Sequence, residues 1–157
     1  MDNKLKEYLK KYEIEYKVHE HHAVFTVAES DKLVKLPFIR GKNLFMKDEK
    51  NNYYLVCLPT HKMLNMKSLK IRLEVSKLSF ASPEELKKEL NLTPGSVSIF
   101  GMIHAKSTIL ILDKELWDSD IVGFHPNINT ATLELSHENL KKFWDSLKCK
   151  KEIISLE

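Results

Sequence analysis

Three stretches of this chain carry more polar detail than regular structure needs. In Gly41-Lys42-Asn43-Leu44-Phe45 a lysine and an amide open an otherwise apolar strand. That pair can be a solvated strand end, or a cation at a pocket rim beside a polar anchor, where an ammonium suits a phosphate or developing negative charge. In Ser96-Val97-Ser98-Ile99-Phe100-Gly101-Met102 a glycine interrupts an apolar run. It reads as a bulge, or as backbone exposed to hold a ligand. In Gly123-Phe124-His125-Pro126-Asn127-Ile128-Asn129-Thr130 a glycine, a histidine, a proline and two amides lie between two apolar strands. Such a loop is either a structural turn or a ligand loop. Gly123 and Pro126 fix its path, and His125 can donate or accept a hydrogen bond.

Familiar chemistries are missing. The sequence has no GxSxG elbow, no Walker or GxGxxG phosphate loop, no HExxH and no paired CxxC. Along a strand His22 points away from His19 and His21, so that trio is not expected to hold metal. Cys57, flanked by Val56 and Leu58, reads as an inert core thiol, and two cysteines cannot build a disulfide framework. What remains is lysine, histidine, amides and backbone. That inventory suits a binding module, or an enzyme that positions an already reactive bond and a water.

The elements that position these residues follow from the pattern. Residues 2–13 form an amphipathic helix with Leu5, Tyr8, Leu9 and Tyr12 on one face. A strand is expected over 15–20, and a helix from the capping box at Thr26 and Glu29 towards Leu33. Strands at 42–47 and 53–58 flank a turn at 48–52. Asn65 caps a helix to about Glu74, and Ser82-Pro83-Glu84-Glu85 opens another that stops near Asn91. Strands follow at 107–112, 121–124 and 130–135, and Ser136 caps the last helix. The expected fold is a single α+β domain over 1–157, with a mixed, mostly antiparallel sheet of six or seven strands surrounded by helices.

The chain has 157 residues, with 25 Lys+Arg against 22 Asp+Glu, a net +3. A balance this mild excludes a binder that coats nucleic acid by charge alone, but permits a local basic face. Arg40 and Arg72 are the only arginines, so bidentate reading of base edges has few candidates. Lys4, Lys6, Lys10 and Lys11, with Lys141, Lys142, Lys148, Lys150 and Lys151, offer either solvated helix faces or a surface for RNA phosphates. No apolar run reaches membrane length, and the amino terminus lacks a secretory core, so a cytoplasmic protein is expected.

Taken in order, several segments resemble the YbaK/aminoacyl-tRNA-synthetase-associated domain family, and within it the freestanding alanyl-tRNA(Pro) deacylases. They are His19-Glu20-His21 with Val24-Phe25-Thr26-Val27, Lys42-Asn43-Leu44-Phe45, Leu78 to Leu86, Leu92 to Ser98, and Gly123-Phe124-His125-Pro126 running into Asn129-Thr130-Ala131-Thr132. The resemblance implies a hydrolase of the ester between an amino acid and the terminal ribose of tRNA, with alanine on proline tRNA as the typical substrate. It implies no metal, no other cofactor and no covalent intermediate. It places Lys42 at the terminal nucleotide with Asn43 alongside, and Gly123 and His125 lining the site. Phe25, Ser98 and Gly101 shape the amino-acid pocket, with Leu44, Met102 and Ile128 as further walls and Asn129 among the substrate contacts. Backbone N–H groups near Gly101 or Gly123 are candidates for the oxyanion. The expected partners are the acceptor end of tRNA(Pro) and, as an open alternative, prolyl-tRNA synthetase, with the protein itself a monomer.

The sequence departs from the family pattern at His22-Ala23 and at Ile99, where many members carry proline. Three alternatives stay open: a deacylase for another small aminoacyl-tRNA such as Cys-tRNA(Pro), a silent tRNA- or synthetase-binding module, and an esterase using Cys57 or His125.

Overall fold

The computed structural model describes residues 1–23 and 36–156; the helix expected from Thr26 to Leu33 lies outside them. Asp2 opens helix α1 (Asn3–Lys11), its carboxylate accepting from the Leu5 N–H at 2.8 Å, and Leu5 and Leu9 are buried. Strand β1 (Lys17–Glu20) follows. Strands β2 (Ile39–Asp48) and β3 (Tyr53–Pro59) form a hairpin. Its turn is built by Asp48, whose Oδ1 accepts from the N–H groups of Lys50 and Asn52, with Asn51 left-handed at φ 61.

Asn65 caps α2 (Met66–Leu73), and a short strand β4 (Leu78–Phe80) precedes α3 (Pro83–Leu90). Helix α3 has the expected capping box between Ser82 and Glu85 and ends at Asn91 in the left-handed region, φ 57. A short 3-10 helix (Ile99–His104) leads to β5 (Ile109–Asp113), α4 (Lys114–Asp118), β6 (Ile121–Phe124), β7 (Ala131–Ser136), α5 (His137–Ser146) and β8 (Lys151–Ile154).

The strands form one mixed sheet in the order β1-β7-β6-β2-β3-β5-β8, with β4 also pairing β2. Pairings β1–β7, β6–β7, β2–β3 and β2–β4 are antiparallel; β2–β6, β3–β5 and β5–β8 are parallel. The described residues thus hold eight strands where six or seven were expected. The additions are β4 and β8. Each is defined by a distant partner rather than by its own alternation.

Period-2 alternation gives the sheet two faces. One carries Phe45, Leu55, Cys57, Leu110, Leu112, Val122, Phe124, Leu133 and Leu135 into the main core with α1, α5 and the 3-10 helix. The other carries Met46, Val56, Leu58 and Ile111 into a second cluster with Leu69 of α2. Towards β1 this second face turns polar. Arg40 and Lys42 on β2, Gly123 on β6, and Thr132 and Glu134 on β7 fall there by alternation with core-directed neighbours, and His19 on β1 joins them through its pairing with Thr132. Among the described residues, no helix is long and apolar enough to cross a membrane.

Candidate active site

The polar face is assembled by the parallel pairing of β2 with β6, which sets Ile39 beside Val122 and Arg40 beside Gly123. Two residues further along each segment lie Lys42 and His125. Lys42 sits between two core-directed residues. A Cβ on Gly41 would fall 2.8 Å from Cδ1 of the Phe124 ring, and the Asn43 Oδ1 accepts from the Cys57 thiol at 2.8 Å. Alternation therefore puts Lys42 on the opposite side, the face of Gly123.

Gly123 is glycine for a steric reason. A Cβ there would lie 2.6 Å from Phe38 Cε2, 2.8 Å from Thr132 Cγ2 and 3.3 Å from Arg40 Cγ. Only a bare backbone fits beneath these three side chains.

His125 follows β6 and is tied down at both ends. The Ser98 hydroxyl donates to its backbone carbonyl, and Ser98 Oγ in turn accepts from the Phe100 N–H at 3.1 Å. The ring Nδ1 lies 3.0 Å from the Ala131 carbonyl oxygen. A carbonyl only accepts, so Nδ1 carries the proton and Nε2 of the neutral ring is left as an acceptor. Burial lowers the pKa of this histidine below its usual value; the hydrogen bond to Ala131 opposes this, and the neighbouring His21 and Arg40 add to it. The ring is thus held neutral, a state in which it can receive a proton.

His21 lies beside it, ring centroids 6.1 Å apart. Its Nδ1 donates to the His22 carbonyl at 2.8 Å, so in the neutral ring Nε2 accepts from the Thr132 hydroxyl at 3.0 Å. His19 Nε2 contacts Glu134 at 2.9 Å. Among the described residues no group of three or more His, Cys, Asp or Glu could hold a metal ion.

The remaining expected residues fall in different places. Asn43 shares the sequence with Lys42 but not its face: it turns towards Cys57, and its Nδ2 is buried with no partner. Leu44 lies on the Lys42 face and packs against the second cluster. Ile128 and Asn129 are half-buried in the 125–130 loop, which the Thr130 carbonyl joins to the His21 N–H at 2.9 Å.

Ser98 tethers the His125 loop through its hydroxyl. Gly101 is not a bulge. It lies within the 3-10 helix, where a Cβ would come within 2.5 Å of Leu92 Cδ1, and its N–H is spent on the Ser98 carbonyl at 3.0 Å. Its amide therefore cannot serve an oxyanion. Met102 is 3% exposed and packs in the main core. Phe25 lies outside the described residues.

Cys57 is fully buried, and burial pushes its thiol well up, which removes it as a nucleophile. Asn127, like Arg40 and Thr132, was given no role by sequence reasoning. Asn127 stands left-handed at φ 63, and both polar atoms of its side chain are buried without a partner. An amide that is buried and unpaired is costly in the free protein. The only signal in the sequence was an asparagine after proline, which also marks an ordinary turn.

Comparison with known proteins agrees with this architecture. The family model described as "Aminoacyl-tRNA editing domain" matches residues 21–143. The "Prolyl-tRNA editing protein ProX" of Acetoanaerobium sticklandii is 37% identical over 139 residues, covering 85% of this chain and 84% of that protein. The "Prolyl-tRNA synthetase associated domain-containing protein 1" of Danio rerio is 31% identical over 158 residues, covering 98% and 86%. Among solved structures, hypothetical protein APE2540 superposes with TM-score 0.77 at 20% identity, over 98% of this chain and 99% of that one. A candidate trans-editing enzyme for prolyl tRNA synthetase gives 0.75 at 17% identity, over 100% and 98%. These two structures speak for a shared α+β fold. The chain belongs to the aminoacyl-tRNA editing domain family, whose members are aminoacyl-tRNA deacylases.

Proposed function

We propose that this protein is a trans-editing deacylase that clears mischarged proline tRNA, with Ala-tRNA(Pro) as its principal substrate. The observation that supports this reading is the parallel β2–β6 pairing, which sets Arg40 beside Gly123, with Lys42 and His125 two residues further along the same two segments. An aminoacyl ester is already activated, so no strong nucleophile is required. The protein holds the carbonyl, steadies developing charge and places water near the carbon.

In this mechanism the Lys42 ammonium engages the terminal phosphate or ribose. A water, or a water aided by the ribose hydroxyl, adds to the ester carbonyl. The new carbon–oxygen bond forms, the bond to the ribose oxygen breaks, and that oxygen leaves with a proton. The Nε2 lone pair of neutral His125 orients the attacking water or the hydroxyl. The Asn127 amide, unpaired in the free protein, gains its partners from the aminoacyl group. Discrimination is by size. A synthetase pocket separates side chains that differ by a methylene by only ~1–3 kcal/mol, so a second, smaller pocket that admits alanine and excludes proline restores accuracy. The protein acts as a monomer on the acceptor end of tRNA(Pro), with prolyl-tRNA synthetase as a further partner left open.

The test is a panel of alanyl-, cysteinyl-, seryl- and prolyl-tRNA(Pro), each incubated with the purified protein. The expected result is fastest loss of alanine and sparing of prolyl-tRNA(Pro). No turnover above spontaneous ester loss for any of them would reduce the protein to a binding module. Preferential loss of cysteine would move it to a sister specificity.

A further inference from the structure

A cleft apart from the β2–β6 face has no role in the chemistry above. Its volume is about 720 Å³, and it lies between the end of α1, the 3-10 helix, the start of β5 and the 146–150 segment. Tyr8, Tyr12, Lys106, Lys148 and Lys150 line it with the hydroxyl-bearing Ser107, Thr108 and Ser146. A smaller hollow of about 300 Å³ adjoins it, sharing Tyr8 and Ile103 and adding Lys4, Lys11, Glu7 and His104. The two together are lined by five lysines against one carboxylate, in a chain whose overall excess is only +3.

These five lysines, like Lys6 and Lys10 of α1, which line neither hollow, differ from Lys141, Lys142 and Lys151, whose ammonium groups are engaged. Lys141 is paired with Asp145, Lys142 donates to the Glu13 carbonyl, and Lys151 to the Leu147 carbonyl. None of Lys4, Lys11, Lys106, Lys148 and Lys150 forms an ion pair among the described residues. Lysines left without acidic partners around a concave surface concentrate positive potential. The exposed edges of Tyr8 and Tyr12, centroids 4.7 Å apart, add aromatic surface.

We infer that this cleft is the docking site for the phosphate backbone of the tRNA acceptor stem; the inference rests on the reading of tRNA as substrate. Spacing supports it. Asn52, in the β2–β3 turn, lines the cleft, and Asp48 at that turn is six residue steps along β2 from Lys42. At ~3.4 Å per residue this is about 20 Å. A stacked strand rising ~3.4 Å per nucleotide spans that in about six steps. That carries the RNA beyond its unpaired 3′ terminus and into the paired stem, where phosphates are densest.

The test uses uncharged, fluorescein-labelled tRNA(Pro) and the full chain, with anisotropy titrations at several salt concentrations. The variant is Lys106→Gln/Lys148→Gln/Lys150→Gln. The control is Lys6→Gln/Lys10→Gln, on the part of α1 that lines neither hollow. Hydrolysis of 3′-O-alanyl-adenosine, which has no stem, reports the catalytic face separately. Expected are a loss of affinity of roughly tenfold or more and a log–log salt slope shallower by about three, near one per lysine. The control should bind like the parent, and alanyl-adenosine hydrolysis should be unchanged in both variants. Unaltered affinity and slope in the triple variant, an equal loss in the control, failure of the parent to bind tRNA, or loss of alanyl-adenosine hydrolysis in the triple variant would each overturn the inference. Parent binding with no hydrolysis of either substrate would instead strike the deacylase reading alone.

Discussion

Gly123→Ala is the smallest change that perturbs the centre of the proposed site. The added methyl would sit 2.6 Å from Phe38 Cε2 and 2.8 Å from Thr132 Cγ2, shortfalls of about 0.8 and 0.6 Å against the 3.4 Å at which ordinary contact begins. The Phe38 ring can swing, but Thr132 is β-branched, and its hydroxyl is engaged with His21. Overpacking of this kind costs ~1–3 kcal/mol. For a chain of this size that lowers Tm by about 2–12 °C. The strand also leads directly into His125, and displacement of a reacting group by ~1 Å costs up to about 10²-fold in rate.

The assay pairs a thermal melt with the deacylation rate of Ala-tRNA(Pro). Thr132→Ser supplies the internal check, since it removes the clashing Cγ2 and keeps the hydroxyl that His21 uses. In the double variant part of the lost stability should return, a coupling of at least ~0.5 kcal/mol. If Gly123→Ala melts with the parent and keeps full activity, the steric reading of this position is wrong. If Thr132→Ser returns nothing, Thr132 is not the obstruction.

His125 titrates below its ordinary value because it is buried, with His21 and Arg40 nearby. The unfolded chain then binds the proton more readily than the folded one. The stability its neutral form contributes is full above about pH 6.5 and is lost as pH falls towards the folded pKa. His125→Gln should flatten the fall in denaturation midpoint between roughly pH 7 and 5; an unchanged slope contradicts the assignment. Asn127→Gly removes an unpaired amide but tolerates φ 63. It should leave Tm no lower than the parent's and reduce kcat/KM by roughly two- to tenfold, the worth of one hydrogen bond of ~0.5–1.5 kcal/mol. A lower Tm with unchanged kinetics would make Asn127 merely structural.

Locally encoded features were legible in the sequence. The Ser82-Pro83-Glu84-Glu85 start and the Asn91 stop of α3 appear as read, as does the turn at residues 48–52, because each is set by hydrogen bonds within a few residues. Strands β4 and β8 were not legible. β4 is three residues long with Phe80 exposed, and exists through its pairing to the far end of β2. β8, Lys151–Ile154, is held by its parallel partner β5. Gly101 misled because a glycine in an apolar run suits a strand bulge and a tight helical turn equally well. At the candidate site Lys42, Gly123 and His125 could be named from residue types. That Asn43 faces away from Lys42 follows only from alternation anchored by the contacts with Cys57 and Phe124. Arg40, Thr132 and Asn127 were not assigned roles, since strand register and burial bring them in.

The most direct measurement is the rate of Ala-tRNA(Pro) hydrolysis by Lys42→Ala beside the parent, with circular dichroism on both. Lys42 is on the polar face two residues from the Arg40–Gly123 pair. The account predicts a loss of more than roughly tenfold in kcat/KM with an unchanged spectrum, as expected for removal of a charge that engages the substrate. Full activity in a folded Lys42→Ala protein would contradict it.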